Sequence, residues 1–174
     1  MNLPNKLTLL RVFLIPVFLV LLYLPFPRHM LLALIVFIIA SLTDLADGYI
    51  ARKRSLITTF GKFMDPLADK LLVMAAMLWL VEAGRIPAWC MLLIIAREFA
   101  VTALRLVAVE GTRVIAAGWS GKVKTASTMV CLCLMFLPIP PALNWVCVGV
   151  IVVTTLWSGI EYFVKNKDVF KGGM

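Results

Sequence analysis

Four aspartates stand out in an otherwise apolar chain: Asp44, Asp47, Asp65 and Asp69. Asp44 and Asp47 are three residues apart, and Asp65 and Asp69 four apart. On helices each pair shares a face, about 60° and about 40° apart around the axis. Where two such faces meet, four carboxylates crowd one place and repel strongly at low dielectric. Divalent cations remove that penalty, and hard carboxylate oxygens suit Mg2+ or Mn2+. The chemistry on offer is metal-assisted. The competing arrangement pairs each aspartate with a nearby base such as Arg52 or Lys70, but Asp44, Asp47 and Asp65 have few close basic neighbours on their own faces. No Ser/His or Cys/His pair points to a covalent route, and the single histidine, His29, falls in a connection between apolar runs.

Small residues share the aspartate stripe. Gly48 is four after Asp44, Ala51 seven after it, and Gly61 four before Asp65. Missing side chains there admit either a ligand or a second helix, as in small-xxx-small packing. Arg52 ends the stripe with a planar fork suited to phosphate. Pro66 removes a backbone donor beside Asp65, which favours a kink.

The elements that position these residues are set by the composition. The chain has 174 residues, of which 63% are hydrophobic and 15% charged, and its mean hydropathy is +1.01. A soluble domain of this size carries far more surface charge. A bilayer core of roughly 30 Å needs about 20 apolar residues in a helix. Six segments approach that length: Leu7 to Leu24, Met30 to Ile50, Asp65 to Val81, Pro87 to Val109, Lys124 to Leu137 (with a start as early as Trp119) and Leu143 to Val164. The expected fold is all-α: a polytopic bundle of six membrane-spanning helices forming one domain, 1–174, with a polar cavity facing the cytoplasm. Both aspartate pairs fall at the inner ends of spans two and three.

The formal net charge is +8. Lys6, then Arg52, Lys53, Arg54 and Lys62, then Arg113, Lys122 and Lys124, then Lys165, Lys167 and Lys171 fall on one side of the spans. Arg28 and Arg85 fall on the other. Basic connections between apolar runs fit anionic lipid rather than nucleic acid, and the positive-inside rule puts both termini and the active site on the cytoplasmic side. The first apolar run ends without a small-x-small cleavage site, so it reads as an uncleaved span. Trp89, Trp119, Trp145 and Trp157 sit near span ends, as interfacial anchors. Cys90, Cys131, Cys133 and Cys147 lie in apolar segments and read as buried free thiols, since Cys131 and Cys133 fit neither a redox nor a zinc spacing.

Read as one string, Asp44-x-x-Asp47-Gly48-x-x-Ala51-Arg52, eight residues, Gly61-x-x-x-Asp65-x-x-x-Asp69 resembles the signature of the CDP-alcohol phosphotransferase family at each fixed position. The resemblance implies joining of an alcohol to the phosphoryl unit of a CDP-linked substrate, with release of CMP. It implies two divalent ions, Mg2+ or Mn2+, on Asp44, Asp47, Asp65 and Asp69. Asp44 and Asp47 also contact the CDP group, Gly48, Ala51, Arg52 and Gly61 line its pocket, and Asp69 is the general base. A homodimer is expected on the same ground. In-line transfer to phosphorus needs positioning and charge neutralisation more than covalent help, so the implied roles suit the residues.

The opening run Leu3-Pro4-Asn5-Lys6-Leu7-Thr8-Leu9-Leu10-Arg11 resembles the bacterial branch of the family that uses glycerol 3-phosphate, and adds Asn5 and Thr8 to the expected CDP contacts. The fourth and fifth segments agree with an anionic acceptor. Arg97, Arg105, Lys122, Lys124 and Arg113 are the candidates for holding its phosphate, against the alternatives of lipid anchoring for the lysines and an internal pair with Glu98 for Arg97. The expected substrates are CDP-diacylglycerol and sn-glycerol 3-phosphate. The rivals are the same chemistry with serine, an inositol compound or phosphatidylglycerol as acceptor, and a divalent-cation transporter using the aspartates as its transport site.

Overall fold

A computed structural model of the chain describes residues 3–54, 59–110, 115 and 118–170, with side chains at 9–43, 64, 67–68, 70–109, 115 and 118–169. The described residues form α1 (Leu3–Tyr23), α2 (His29–Arg54), α3 (Thr59–Glu82), α4 (Ala88–Glu110), α5 (Trp119–Met135) and α6 (Pro141–Lys165), then a short 3-10 helix (Lys167–Phe170). Each expected segment lies on one helix, and no strand occurs among the described residues. The helices overrun the apolar segments, because hydropathy marks only the apolar part while the backbone hydrogen bonds continue through polar residues. α1 therefore starts at Leu3 rather than Leu7, and α3 at Thr59 rather than Asp65. α6 is long and apolar enough to cross a membrane, and Leu9–Tyr23 and His29–Thr43 are shorter apolar stretches.

The contacts divide the chain into two compact units, Met1–Trp79 and Leu80–Met174. In the first, α1 packs on α2. α1 buries Arg11, Ile15, Phe18 and Leu22, and α2 buries Ala33, Leu34, Phe37 and Ala40. The Phe18 and Phe37 ring centroids are 5.7 Å apart. The small Ala33 and Ala40 let the backbones approach, which matters where packing rather than water exclusion drives association. The short turn between the helices puts Arg28 at φ 69°, a left-handed conformation costing about 1 kcal/mol in a residue with a side chain. Its carbonyl accepts from Leu31 and Leu32 N–H at 3.0 and 3.1 Å, starting the α2 ladder. His29 is half-buried, with Nδ1 3.2 Å from the Leu21 carbonyl. On α2, Ser41 and Thr43 return their hydroxyls to the Phe37 and Ala40 carbonyls, both at 2.7 Å, so these polar groups are satisfied within the helix.

α3 buries Ala68, Leu72, Ala76, Met77 and Leu80. It ends where Gly84 adopts φ 69°. Gly84 N–H donates to the Val81 carbonyl and Arg85 N–H to that of Leu80, at 3.0 and 2.8 Å, closing carbonyls the helix leaves open.

In the second unit, α6 packs against both α4 and α5. Arg85 Nη1 donates to the Met135 and Leu137 carbonyls at the end of α5, and Asn144 Nδ2 donates to the Arg85 carbonyl at 2.7 Å. A cation on the last carbonyls of α5 complements the negative end of the helix. Val101 and Leu104 of α4 form a buried cluster with Tyr162 of α6, with Ile115, Phe163 and Val169 packed on it. Cys90, Cys131 and Cys147 are buried and Cys133 is half-buried, all as free thiols.

Candidate functional site

The aspartate signature sits on unbroken helix. Asp44, Asp47, Gly48, Ala51 and Arg52 are on the last turns of α2, and Gly61, Asp65 and Asp69 on the first turns of α3. Helical register extends the buried stripe Ala33, Phe37 and Ala40 of α2 at steps of three and four to positions 44, 47 and 51. Stepping back from Ala76 and Leu72 on α3 reaches positions 69, 65 and 61 in the same way. Each half of the signature thus keeps the helical register of its element. The side chains at these positions, at Asn5 and Thr8, and Arg113 as a whole lie outside the described residues. Among the described residues no group of three metal-ligating side chains occurs. The donor set, four carboxylates spaced to share a face on each of two continuous helices, fits hard divalent ions.

One residue of this unit was not singled out by its sequence. Arg11 is fully buried, on the α1 stripe that faces α2. Phe18 and Phe37 mark one level of this helix pair, and seven residues along each antiparallel helix bring Arg11 of α1 and position 44 of α2 to the same level. A buried guanidinium is costly unless its donors are satisfied.

The basic candidates of the second unit fall into separate groups. Arg97 Nη1 and Lys124 Nζ both donate to Glu98 Oε1, at 2.9 and 2.7 Å. Lys124 belongs to a buried polar stripe on α5, with Ser120 and Thr128 at one-turn spacing. Arg97 Nε, Thr128 Oγ1 and Thr155 Oγ1 are buried without a hydrogen-bond partner. Lys122, two residues before Lys124, is exposed on another side of α5. Arg105 lies eight residues beyond Arg97, about 12 Å along α4. It is exposed, its Nε donates to Tyr162 Oη at 2.8 Å, and its guanidinium carbon stands 5.4 Å from the Tyr162 ring centroid. The structure therefore joins Arg97 and Lys124 through Glu98, places Arg105 separately on Tyr162, and turns Lys122 away. Both the pairing of Arg97 with Glu98 and the inward lysine draw the charge into the fold.

Tyr162 and Gly159 carry no signature in the sequence. Tyr162 is 57 residues from Arg105. At Gly159 an added Cβ would stand 3.2 Å from Arg97 Cγ, so the stem of Arg97 lies against the α6 backbone.

Helices bearing the aspartate signature, with a second unit that gathers Arg97 and Lys124 on Glu98, fit a class of group-transfer enzymes, and comparison with known proteins agrees. The chain belongs to the CDP-alcohol phosphatidyltransferase family, whose model matches residues 1–157. It is 45% identical to the CDP-diacylglycerol–glycerol-3-phosphate 3-phosphatidyltransferase of Bacillus subtilis, over 98% of this chain and 97% of that one. It is 42% identical to the enzyme of the same name from Pseudomonas fluorescens, over 93% of this chain and 88% of the relative. A probable phosphatidylglycerophosphate synthase of Mycobacterium tuberculosis is 39% identical, over 94% of this chain and 81% of the relative.

Proposed function

We propose that this protein transfers the phosphatidyl group of CDP-diacylglycerol to sn-glycerol 3-phosphate, forming phosphatidylglycerol phosphate and CMP. The observation that carries the choice of acceptor is the convergence of Arg97 and Lys124 in the interior of the second unit. Cations kept inside, rather than released to an anionic surface, suit an acceptor that itself bears a phosphate. A neutral acceptor makes no use of the positive charge they hold beyond the single Glu98 carboxylate. The names of the relatives support the same acceptor.

The chain works as one domain of six spans in the bacterial cytoplasmic membrane, with its termini and its polar cavity on the cytoplasmic side. Its exposed faces support this. Phe13, Val17 and Val20 on α1, Leu92, Phe99 and Leu106 on α4, and Val146, Val153, Ile160 and Val164 on α6 are exposed, at spacings that make apolar stripes along each helix. Buried polar residues inside and apolar residues outside suit a lipid surround. Trp89, Trp119 and Trp145 are exposed at helix starts, as interfacial anchors are.

Asp44, Asp47, Asp65 and Asp69 hold two divalent ions, Mg2+ or Mn2+, which when bound neutralise the diphosphate of the CDP group. Gly48, Ala51, Arg52 and Gly61, with Asn5 and Thr8, line the nucleotide pocket. Lys124 and Arg97 orient the acceptor phosphate, and Arg105, held apart on Tyr162, adds with Lys122 and Arg113 to the basic approach by which the acceptor enters. Asp69 takes the proton of the acceptor hydroxyl as its oxygen bonds to the phosphatidyl phosphorus and the bond to CMP breaks. The lipid tails stay in the bilayer, and the working unit is a homodimer.

An acceptor panel tests the reading. Purified protein with CDP-diacylglycerol and Mg2+ or Mn2+ should release CMP with glycerol 3-phosphate and not with serine, inositol compounds or phosphatidylglycerol. Release with a neutral acceptor and none with glycerol 3-phosphate would refute it.

A further inference from the structure

We propose that Glu98 is a positioning residue of the acceptor site, holding Arg97 and Lys124 together in the arrangement that receives the acceptor's phosphate. The proposal rests on the acceptor reading above and goes beyond it, because it gives Glu98 a role through Arg97 and Lys124 rather than by contact with either substrate. Both cations meet on the same atom, Glu98 Oε1, at 2.9 and 2.7 Å. Adjacent residues on a helix point about 100° apart, so Arg97 must fold its side chain across the helix surface to reach Glu98. Gly159 makes room for that path, since Arg97 Cγ lies where an added Cβ would be only 3.2 Å away. The usual course for a long cation in a membrane helix is to extend toward the interface. Here Arg97 is kept inside instead, and its side chain is only 13% exposed.

The cluster retains binding capacity after the carboxylate is satisfied. Arg97 Nε is buried without a hydrogen-bond partner among the described residues. A buried polar atom in that state costs free energy until water or a ligand supplies the missing bond, so Arg97 Nε is a donor open to an incoming phosphate. The charges point the same way. Two cations on one carboxylate leave one positive charge uncompensated within the triad, as an anion site requires. A neutral triad would serve only to join α4 to α5. Glu98 is thus the pivot: it draws one cation from each helix to a common point and leaves the surplus charge for the phosphate.

The sign of the effect separates positioning from simple charge balance. Were Glu98 only a counter-charge, its removal would strengthen attraction for the acceptor phosphate and lower the acceptor KM. Were it only a structural strut, its removal would disturb both substrates alike. The test is steady-state CMP release by the full chain in lipid-containing micelles, comparing wild type with Glu98→Gln and Glu98→Asp. Glu98→Gln should raise the KM for glycerol 3-phosphate about tenfold while the KM for CDP-diacylglycerol changes by less than about twofold. Glu98→Asp, which keeps the charge on a shorter arm, should recover at least half of that loss on a logarithmic scale. If Glu98→Gln does not fold, Gly159→Ala reaches Arg97 from α6 and should raise the acceptor KM selectively in the same way. A lowered or unchanged acceptor KM, an equal rise in both KM values, or an aspartate variant no better than the glutamine variant would overturn the proposal. Wild-type protein inactive with glycerol 3-phosphate would overturn the acceptor reading instead. Active wild-type protein with unaltered variant kinetics would overturn the positioning role alone.

Discussion

Tyr162 tests how much of acceptor binding depends on pre-setting a single cation. It holds Arg105 in two ways: its hydroxyl accepts from Arg105 Nε at 2.8 Å, and its ring lies 5.4 Å from the guanidinium carbon. A hydrogen bond to a charged group contributes about 1.5–3 kcal/mol when both partners are desolvated. Tyr162 is 7% exposed, but Arg105 reaches solvent, which brings the expected value to about 1 kcal/mol. The ring adds about 0.5–1 kcal/mol. Tyr162→Phe deletes the bond and keeps the ring. At about 1.4 kcal/mol per factor of ten, the acceptor KM should rise about fivefold. Tyr162→Leu deletes both, for about 1.5–2 kcal/mol and a rise of roughly 10- to 30-fold. It should also unfold more easily, because it opens the cluster with Val101 and Leu104. The assay is CMP release at varied glycerol 3-phosphate and saturating CDP-diacylglycerol, with thermal unfolding in the same detergent. An unchanged acceptor KM in both variants, or a leucine variant equal to the phenylalanine variant, would refute the idea that Tyr162 holds Arg105 for the acceptor.

Two further outcomes follow from separate parts of the fold. Asp69→Asn keeps the size of the side chain and removes its basicity, so turnover should fall by at least about 100-fold while the protein remains folded; normal CMP release would remove Asp69 as the base. Gly84→Ala should lower stability by about 1 kcal/mol, measured by thermal unfolding, with kcat unchanged. An added Cβ at Gly84 meets nothing within 4 Å, so the cost comes from the positive φ alone, and an unaltered melting temperature would count against that strain.

Much of the architecture was legible from the order of residues. Apolar runs located the six helices, because a run longer than a strand satisfies its own backbone hydrogen bonds as helix. Their ends were less legible. α3 starts at Thr59, six residues before the expected Asp65, because helix continues through polar residues that hydropathy does not mark, whereas α5 starts at Trp119, the early start its sequence allowed. The two halves of the aspartate signature were legible because the information lies in spacings of three and four residues, which a helix converts directly into a shared face. The basic residues were not separable in this way. Lys122 and Lys124 read alike as loop cations, yet one is exposed and the other is buried against Glu98.

The aspartates illustrate what the chain determines by itself. Their residue types and their spacing on α2 and α3 depend on the sequence and local helix geometry alone, and with them come the family and the class of chemistry. Other features needed the tertiary structure, because they depend on partners far apart in the chain. Packing of α1 on α2 buries Arg11. α5 brings Lys124 to Glu98, 26 residues away. α6 brings Tyr162 to Arg105 and Gly159 to Arg97. Periodicity along one helix states which residues share a face, but only helix packing decides what that face meets and therefore which cations are held inward, singly or in pairs.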